Sequence, residues 1–210
     1  MIDRVTRLRE PNRELPPVEY HQWTRTNACN MHYLRGRQTN LLGALAFALV
    51  DRLNEALVQG ANRNLSSAAA LVFIHGRPGE TIDFLARVLG LSHSATVRVV
   101  DRLEADRFVE RRSGTDRRSV ALFLTAAGQA AAVETLNRRS QVLAHALSTL
   151  SSSERKQMTE LVEKVLVGLT DDGWTAWHTC RLCDVPACNR PTHCPIDFGQ
   201  PRSKASLART

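Results

Sequence analysis

Leu91-Ser92-His93-Ser94-Ala95-Thr96-Val97-Arg98-Val99-Val100-Asp101-Arg102-Leu103-Glu104 is the stretch on which the fold turns. Gly90-Leu91-Ser92 reads as a tight turn, and Ser92 is a good N-cap for a helix from His93 to about Asp106. At helical spacing Thr96, Val99, Val100 and Leu103 share the inward face, which leaves His93, Ser94, Arg98, Asp101 and Arg102 outward. Before the turn, Ile82, Leu85, Ala86 and Leu89 line one face of a helix that starts near Thr81. Two helices about a Gly-containing turn, the second polar on its outer side, make a helix-turn-helix pattern. After it, Phe108 to Arg112 and Ser119 to Leu124 read as strands, the second with Val120, Leu122 and Leu124 alternating, around a tip from Ser113 to Arg118. Between residues 107 and 118, five arginines stand against Glu110 and Asp116. Such a basic ribbon is a wing, and its tip suits a narrow minor groove.

Outward from this centre the chain is helical. Leu42, Leu45, Ala46, Leu49, Leu53, Ala56 and Leu57 mark one helix face from Thr39, and a short helix runs from about Ser66 to His75, ending at Gly76-Arg77-Pro78-Gly79. After the wing, Thr125 caps a long helix with Val133, Leu136, Leu143, Leu147 and Leu150 on one stripe. Ser151 and Glu154 form a capping box before a second long helix striped with Met158, Leu161, Val162, Val165 and Leu169. Stripes of this kind are core or subunit interface. The expected fold is therefore mainly α: a winged helix-turn-helix core with a two-stranded β wing and long dimerisation helices. Its parts are an arm at 1–38, a core at 39–169 and a Cys-rich segment at 170–210. Within the core the helix-turn-helix spans about 81–106, the wing about 108–124, and the dimerisation helices 39–59 and 125–169.

The arm carries seven arginines against four carboxylates, three prolines and no sustained period. It fits a terminus without a core of its own, or an arm that grips DNA. Over the whole chain 43% of residues are hydrophobic and 23% charged, which excludes disorder throughout. The longest apolar run, Leu41 to Val50, is far short of the roughly 20 residues that cross a bilayer. No apolar stretch follows the early arginines, so no export signal is expected and the cytoplasm is the expected compartment. The formal charge is +7, and only Lys156, Lys164 and Lys204 are lysines. An arginine-dominated surface suits bidentate contact with phosphates and guanine edges, although a codon preference for arginine gives the same bias.

Three blocks of the sequence resemble the MarR (multiple antibiotic resistance regulator) family. They are Leu91 to Glu104, Phe108-Val109-Glu110-Arg111, and Asp116-Arg117-Arg118-Ser119-Val120-Ala121-Leu122-Phe123-Leu124-Thr125-Ala126-Ala127-Gly128. The last carries the most specific signature, Asp-Arg-Arg followed by Leu-x-Leu-Thr-x-x-Gly. The resemblance spans about Thr39 to Leu169. It implies a cytoplasmic homodimer that binds pseudo-palindromic double-stranded DNA operators and usually represses transcription, with a small-molecule effector as one option. It puts base contacts on Ser92, Ser94, Thr96 and Arg98 and wing contacts on Arg117 and Arg118, with Asp116 positioning the wing arginine. One departure is Arg107, where the family usually has glycine. A left-handed backbone there costs a non-glycine residue about 1 kcal/mol.

The tail lies outside the resemblance. Cys180, Cys183, Cys188 and Cys194 fall within fifteen residues at C-x2-C-x4-C-x5-C, with His193 as an alternative fourth ligand. In a reducing compartment this spacing points to a metal before a disulfide framework. Four soft ligands in a tetrahedron suit zinc, the first reading; four thiolates also suit an iron–sulfur cluster, and Pro195 after the last cysteine is a ferredoxin-like feature. Reactive or idle thiols are the third option. Trp174 and Trp177 are expected to cover the metal or pack on the last helix, with His178 behind the ligands. Cys29 stands alone and reads as a partly buried thiol.

The leading function is a DNA-binding transcriptional regulator whose tail is structural or senses redox state or metal. The alternatives are a small-molecule-responsive repressor with a structural zinc, or a protein-interaction module docking through the tail. An enzyme is not expected: a four-thiolate site has no open position for water, and no nucleophile–base pair or phosphate loop is evident.

Overall fold

The computed structural model describes residues 30–58, 64–114, 120–170, 173–188 and 194–196. The arm to residue 29 with Cys29, the wing tip with Asp116, Arg117 and Arg118, and His193 lie outside the described residues. Contacts divide the chain into a unit ending at Leu45 and a unit from Ala46 onward. The described part of the first unit is the opening of helix α1 (Asn30–Val58), where Leu41, Leu42 and Leu45 are exposed. This helix starts well before the expected Thr39, inside the stretch read as arm. The polar composition of residues 30–38 hid it, because a helix without an apolar stripe gives no periodic signal.

The second unit holds the winged helix. At its centre is α2 (Leu65–Gly76), capped by Asn64, whose side chain accepts from Ser67 N at 2.9 Å. Residues Ser67 to Ile74 are all buried, since a helix apolar on every side must be surrounded. Helix α3 (Ile82–Leu89) starts at Thr81, whose hydroxyl accepts from Phe84 N at 3.2 Å, and stops at Gly90. Gly90 has φ +66°, the left-handed conformation that lets the chain turn at once into α4 (His93–Ala105). The core gathers Leu71, Ile74, Leu85, Val88, Val100, Leu103, Val109 and Leu122 from α2, α3, α4 and the wing base.

The wing is an antiparallel pair, β1 (Val109–Ser113) and β2 (Val120–Leu124), in register from Val109 opposite Leu124 to Ser113 opposite Val120. Its base is tied to the start of α3. Gly79 N donates to Leu122 O at 2.8 Å and Leu122 N donates to Glu80 O at 3.0 Å, while Thr81 bridges Ala121. Glu80 is buried and takes both Nε and Nη2 of Arg77 on one carboxylate oxygen, at 3.1 and 2.9 Å. Helix α5 (Ala126–Ala146) follows, capped by Thr125, and packs along α2. Helix α6 (Ser152–Leu169) carries the expected capping box: Ser151 N donates to Glu154 Oε2 at 2.8 Å, and Glu154 N donates to Ser151 Oγ at 3.4 Å. The short α7 (Gly173–Thr179) and α8 (Val185–Cys188) follow, and residues 194–196 end the described chain. The expected mainly helical winged-helix fold is the one observed. Among the described residues no helix is long and apolar enough to cross a membrane.

Candidate nucleic-acid interface

Helix α4 presents a polar outer face built by its own cap. Ser92 Oγ accepts from Ala95 N at 3.3 Å and lies 3.3 Å from Ser94 Oγ, so two hydroxyls sit together at the helix start. Ser92, His93, Ser94, Arg98, Asp101 and Arg102 are exposed. Thr96 is not. It is fully buried and its hydroxyl donates to Ser92 O at 3.0 Å, so the contact that resemblance placed on Thr96 is corrected: its periodic position, inward, governs. His93 Nδ1 meets Asp83 Oδ1 at 2.7 Å, pinning the first turn of α4 to the first turn of α3.

The wing base is less free than its arginine count suggests. Arg111 reaches from β1 back to α4, donating to Asp101 at 2.6 Å and to Glu104. Burial works against its charge, but the Asp101 hydrogen bond and the charges of Glu104 and Asp101 outweigh it and hold the guanidinium above its ordinary value. Arg112 pairs with Glu110 and lies over the Phe123 ring at 4.5 Å. Arg111 therefore fixes the wing to the recognition helix, and Arg112 is paired within the wing itself. Composition could not show this, because the pairs join residues up to ten apart across two elements. Arg107 does stay exposed.

Arg107 has φ +60°, so the position that departs from the family's glycine keeps the left-handed backbone. Its N–H donates to Glu104 O at 2.9 Å and Phe108 N donates to Leu103 O at 2.8 Å, the paired bonds of a Schellman motif ending α4. The same carbonyl region anchors α5: Thr125 Oγ1 donates to Arg107 O at 2.6 Å, Thr125 N donates to Phe108 O at 3.0 Å, and Gly128 N donates back to Thr125 Oγ1 at 3.1 Å. A Cβ on Gly128 would stand 1.9 Å from Phe108 O. The Leu-x-Leu-Thr-x-x-Gly stretch thus has a structural origin throughout: two buried leucines, a cap, and a glycine where one backbone crosses another.

The MarR family's sequence model matches residues 62–119, the helix-turn-helix with most of the wing. The transcriptional repressor MprA of Escherichia coli is 31% identical over 132 residues, covering 61% of this chain and 74% of MprA. The HTH-type transcriptional regulator YwhA of Bacillus subtilis is 30% identical over 96 residues, covering 45% of this chain and 68% of YwhA. The chain belongs to the MarR family. Among solved structures, MarR from E. coli is similar at 25% identity and a TM-score of 0.51, covering 60% of this chain and 96% of that one. YusO from B. subtilis shares the fold at a TM-score of 0.56 and 24% identity, covering 64% and 96%. Members of the MarR family are transcriptional regulators, not enzymes, and this chain is a DNA-binding transcriptional regulator.

The family match stops at residue 119, well before the clustered cysteines. What lies beyond is not detached. Helix α7 packs on α3, with Trp174 against Phe84 at 5.1 Å between ring centroids and Trp177 against Phe84 and Phe73 at 5.7 and 6.0 Å. Arg87 lies over Trp174 at 4.6 Å and Arg77 over Trp177 at 4.8 Å. The tryptophans therefore lie against the helix-turn-helix, a seat beside the two expected, over the metal or on the last helix. His178 Nδ1 meets Val88 O at 3.0 Å. Cys180, Cys183, Cys188 and Cys194 all hold free thiols. The thiols shift one another, Cys180 with Cys183, Cys183 with Cys188 and Cys188 with Cys194. The Cys183 bond lowers Cys180, and its counterpart, with burial, pushes Cys183 far up; burial also raises Cys188 and Cys194. Among the described residues, no three His, Cys, Asp or Glu side chains already stand arranged as an ion's ligands.

Proposed function

We propose that the protein is a homodimeric repressor that reads a pseudo-palindromic operator, one α4 per half-site, with the cysteine tail tuning the response. The observation that carries DNA reading is the outer face of α4, where Ser92, Ser94 and Arg98 are exposed while Thr96, Val100 and Leu103 are buried beneath them. A helix held by its own core with hydroxyls and a guanidinium outward fits a major groove, and a two-fold dimer places two of them about 34 Å apart. The sign of regulation follows the relative MprA, a transcriptional repressor. The dimer is supported by α6, which buries no residue within this chain although Leu161, Val162, Val165 and Leu169 are all exposed. A second copy covers such a face at the least cost, since a symmetric contact meets each stripe with its own kind. Arg117 and Arg118, outside the described residues, remain the wing contacts in this reading.

Arg98→Ala tests it. Against a panel of operator variants, loss of one good base contact should cost about 1–3 kcal/mol on the preferred sequence and flatten the ranking. Binding of the parent should fall steeply with salt as phosphate counterions are released. An unchanged ranking with Arg98→Ala would remove α4 as the reading helix.

A further inference from the structure

We infer that Cys180, Cys183, Cys188 and Cys194 form a tetrathiolate centre for one thiophilic metal, zinc or an iron–sulfur cluster, that clasps α7 onto the helix-turn-helix. The four thiols come from three local structures. Cys180 follows α7, its N–H donating to Ala176 O at 2.9 Å, and Cys183 turns back with its N–H on Cys180 O at 2.8 Å. Cys188 ends α8, where Asp184 Oδ1 accepts from Ala187 N at 3.2 Å. Cys194 receives a backbone hydrogen bond from Ile196, which is itself buried. Two turns and a short helix thus bring the chain back at each cysteine, and all four thiols are free of disulfides, so that one ion can draw them together. Four thiolates saturate a tetrahedral ion, so the centre is a structural or electron-carrying one without an open position.

Its consequence lies in what α7 touches. Gly90 is the turn of the helix-turn-helix, and a Cβ there would come 2.7 Å from His178 Cε1. His178 is two residues before Cys180 and contacts Val88 O at the end of α3. The path from the centre to the turn that aims α4 is therefore one short helix. Without the metal, α7 is held by its two tryptophans, the arginines over them and His178; with it, the chain on both sides of the centre is fixed. Metal loss or cluster oxidation frees α7 and with it the turn. This regulatory half rests on the reading of α4 as the DNA-reading helix; the metal half does not.

The test uses the full chain purified without oxygen. Elemental analysis with an absorption spectrum should find either about one zinc per chain and no visible band, or iron with acid-labile sulfide and a brown colour. Cys183→Ser and, separately, Cys194→Ser should lose the metal while the melting of the core persists, and Cys29→Ser should keep it. Chelation of the parent should change tryptophan fluorescence as Trp174 and Trp177 leave Phe84. A chain that holds neither zinc nor iron after reconstitution with each, or whose tryptophan fluorescence ignores chelation, overturns the clasp. Operator affinity should differ at least about tenfold between loaded and metal-free protein. Equal affinity with metal bound and the fluorescence change present overturns the regulatory half. Failure of both forms to bind DNA strikes the operator reading instead, and leaves the metal and fluorescence results standing.

Discussion

Helices α4 and α6 carry the same kind of apolar stripe and meet opposite surroundings. On α4, Thr96, Val100 and Leu103 are fully buried by α2, α3 and the wing base, and no large apolar residue is exposed. On α6, Leu161, Val165 and Leu169 are 61%, 48% and 64% exposed and no residue is buried. A periodic stripe says that a face will be covered; it does not say whether the cover comes from the same chain. The sharpest way to break the comparison is to charge the α6 stripe. Leu161→Asp with Val165→Asp should leave the fold of a single chain intact, since those side chains touch little of it. If a second copy covers them, unpaired carboxylates in that interface should cost about 3 kcal/mol or more, over a hundredfold in the dimer dissociation constant. Sedimentation should then show one chain where the parent shows two, with operator affinity falling in step. A parent that sediments as a single chain at all concentrations would end the dimer reading.

Two glycines sharpen the same contrast at smaller scale. A Cβ on Gly128 meets Phe108 O at 1.9 Å, whereas a Cβ on Gly168 of α6 meets nothing within 4 Å. Gly128→Ala must push α5 away from the end of α4, and overpacking of this kind costs about 3 kcal/mol. Gly168→Ala, near the helix end, should fall within about 1 kcal/mol of the parent and lean toward stability. Denaturant midpoints measure both. A Gly128→Ala midpoint equal to the parent's would mean that α5 does not cross the α4–wing junction so closely.

These contrasts show what local pattern conveys. The caps Ser92, Thr125, Ser151 and Glu154 were legible because capping is a contact between residues three apart. The wing and the signature glycine were legible through alternation and resemblance. At Thr96 resemblance and helical period disagree, and period prevails: its burial follows from the same stripe that buries Val100 and Leu103. The charge balance of the wing does not show that Arg111 is paired, because its partners Asp101 and Glu104 lie on α4 and meet it only in the folded arrangement. The seat of Trp174 and Trp177 on Phe84 was out of reach for the same reason: the rings are ninety residues apart in sequence and meet only once the helix-turn-helix has folded. The four cysteines are legible by their spacing, and the structure adds that α7, which leads into them, packs on α3.

The smallest expected effect separates stability from binding at one residue. Arg107 sits at φ +60° in the Schellman turn between α4 and β1, and its side chain is exposed. A left-handed residue with a Cβ costs roughly 1–2 kcal/mol, against which a glycine loses some of the gain through a more flexible unfolded chain. Arg107→Gly should therefore stabilise by up to about 1 kcal/mol, a rise of roughly 2–4 °C in melting temperature for a chain of this size. The same change removes a cation from the junction of recognition helix and wing. If Arg107 faces phosphate, the slope of log affinity against log salt should fall by about 1 while the ranking of operator sequences is kept. The expected variant is thus more stable and binds DNA more weakly, and melting curves with salt titrations read the two effects independently. A variant that is no more stable would mean that the bonds from Thr125 Oγ1 to Arg107 O and from Arg107 N to Glu104 O already offset the backbone strain. A variant that is more stable with an unchanged salt slope would take Arg107 out of the interface and leave the contact to arginines on the outer face of α4 such as Arg98.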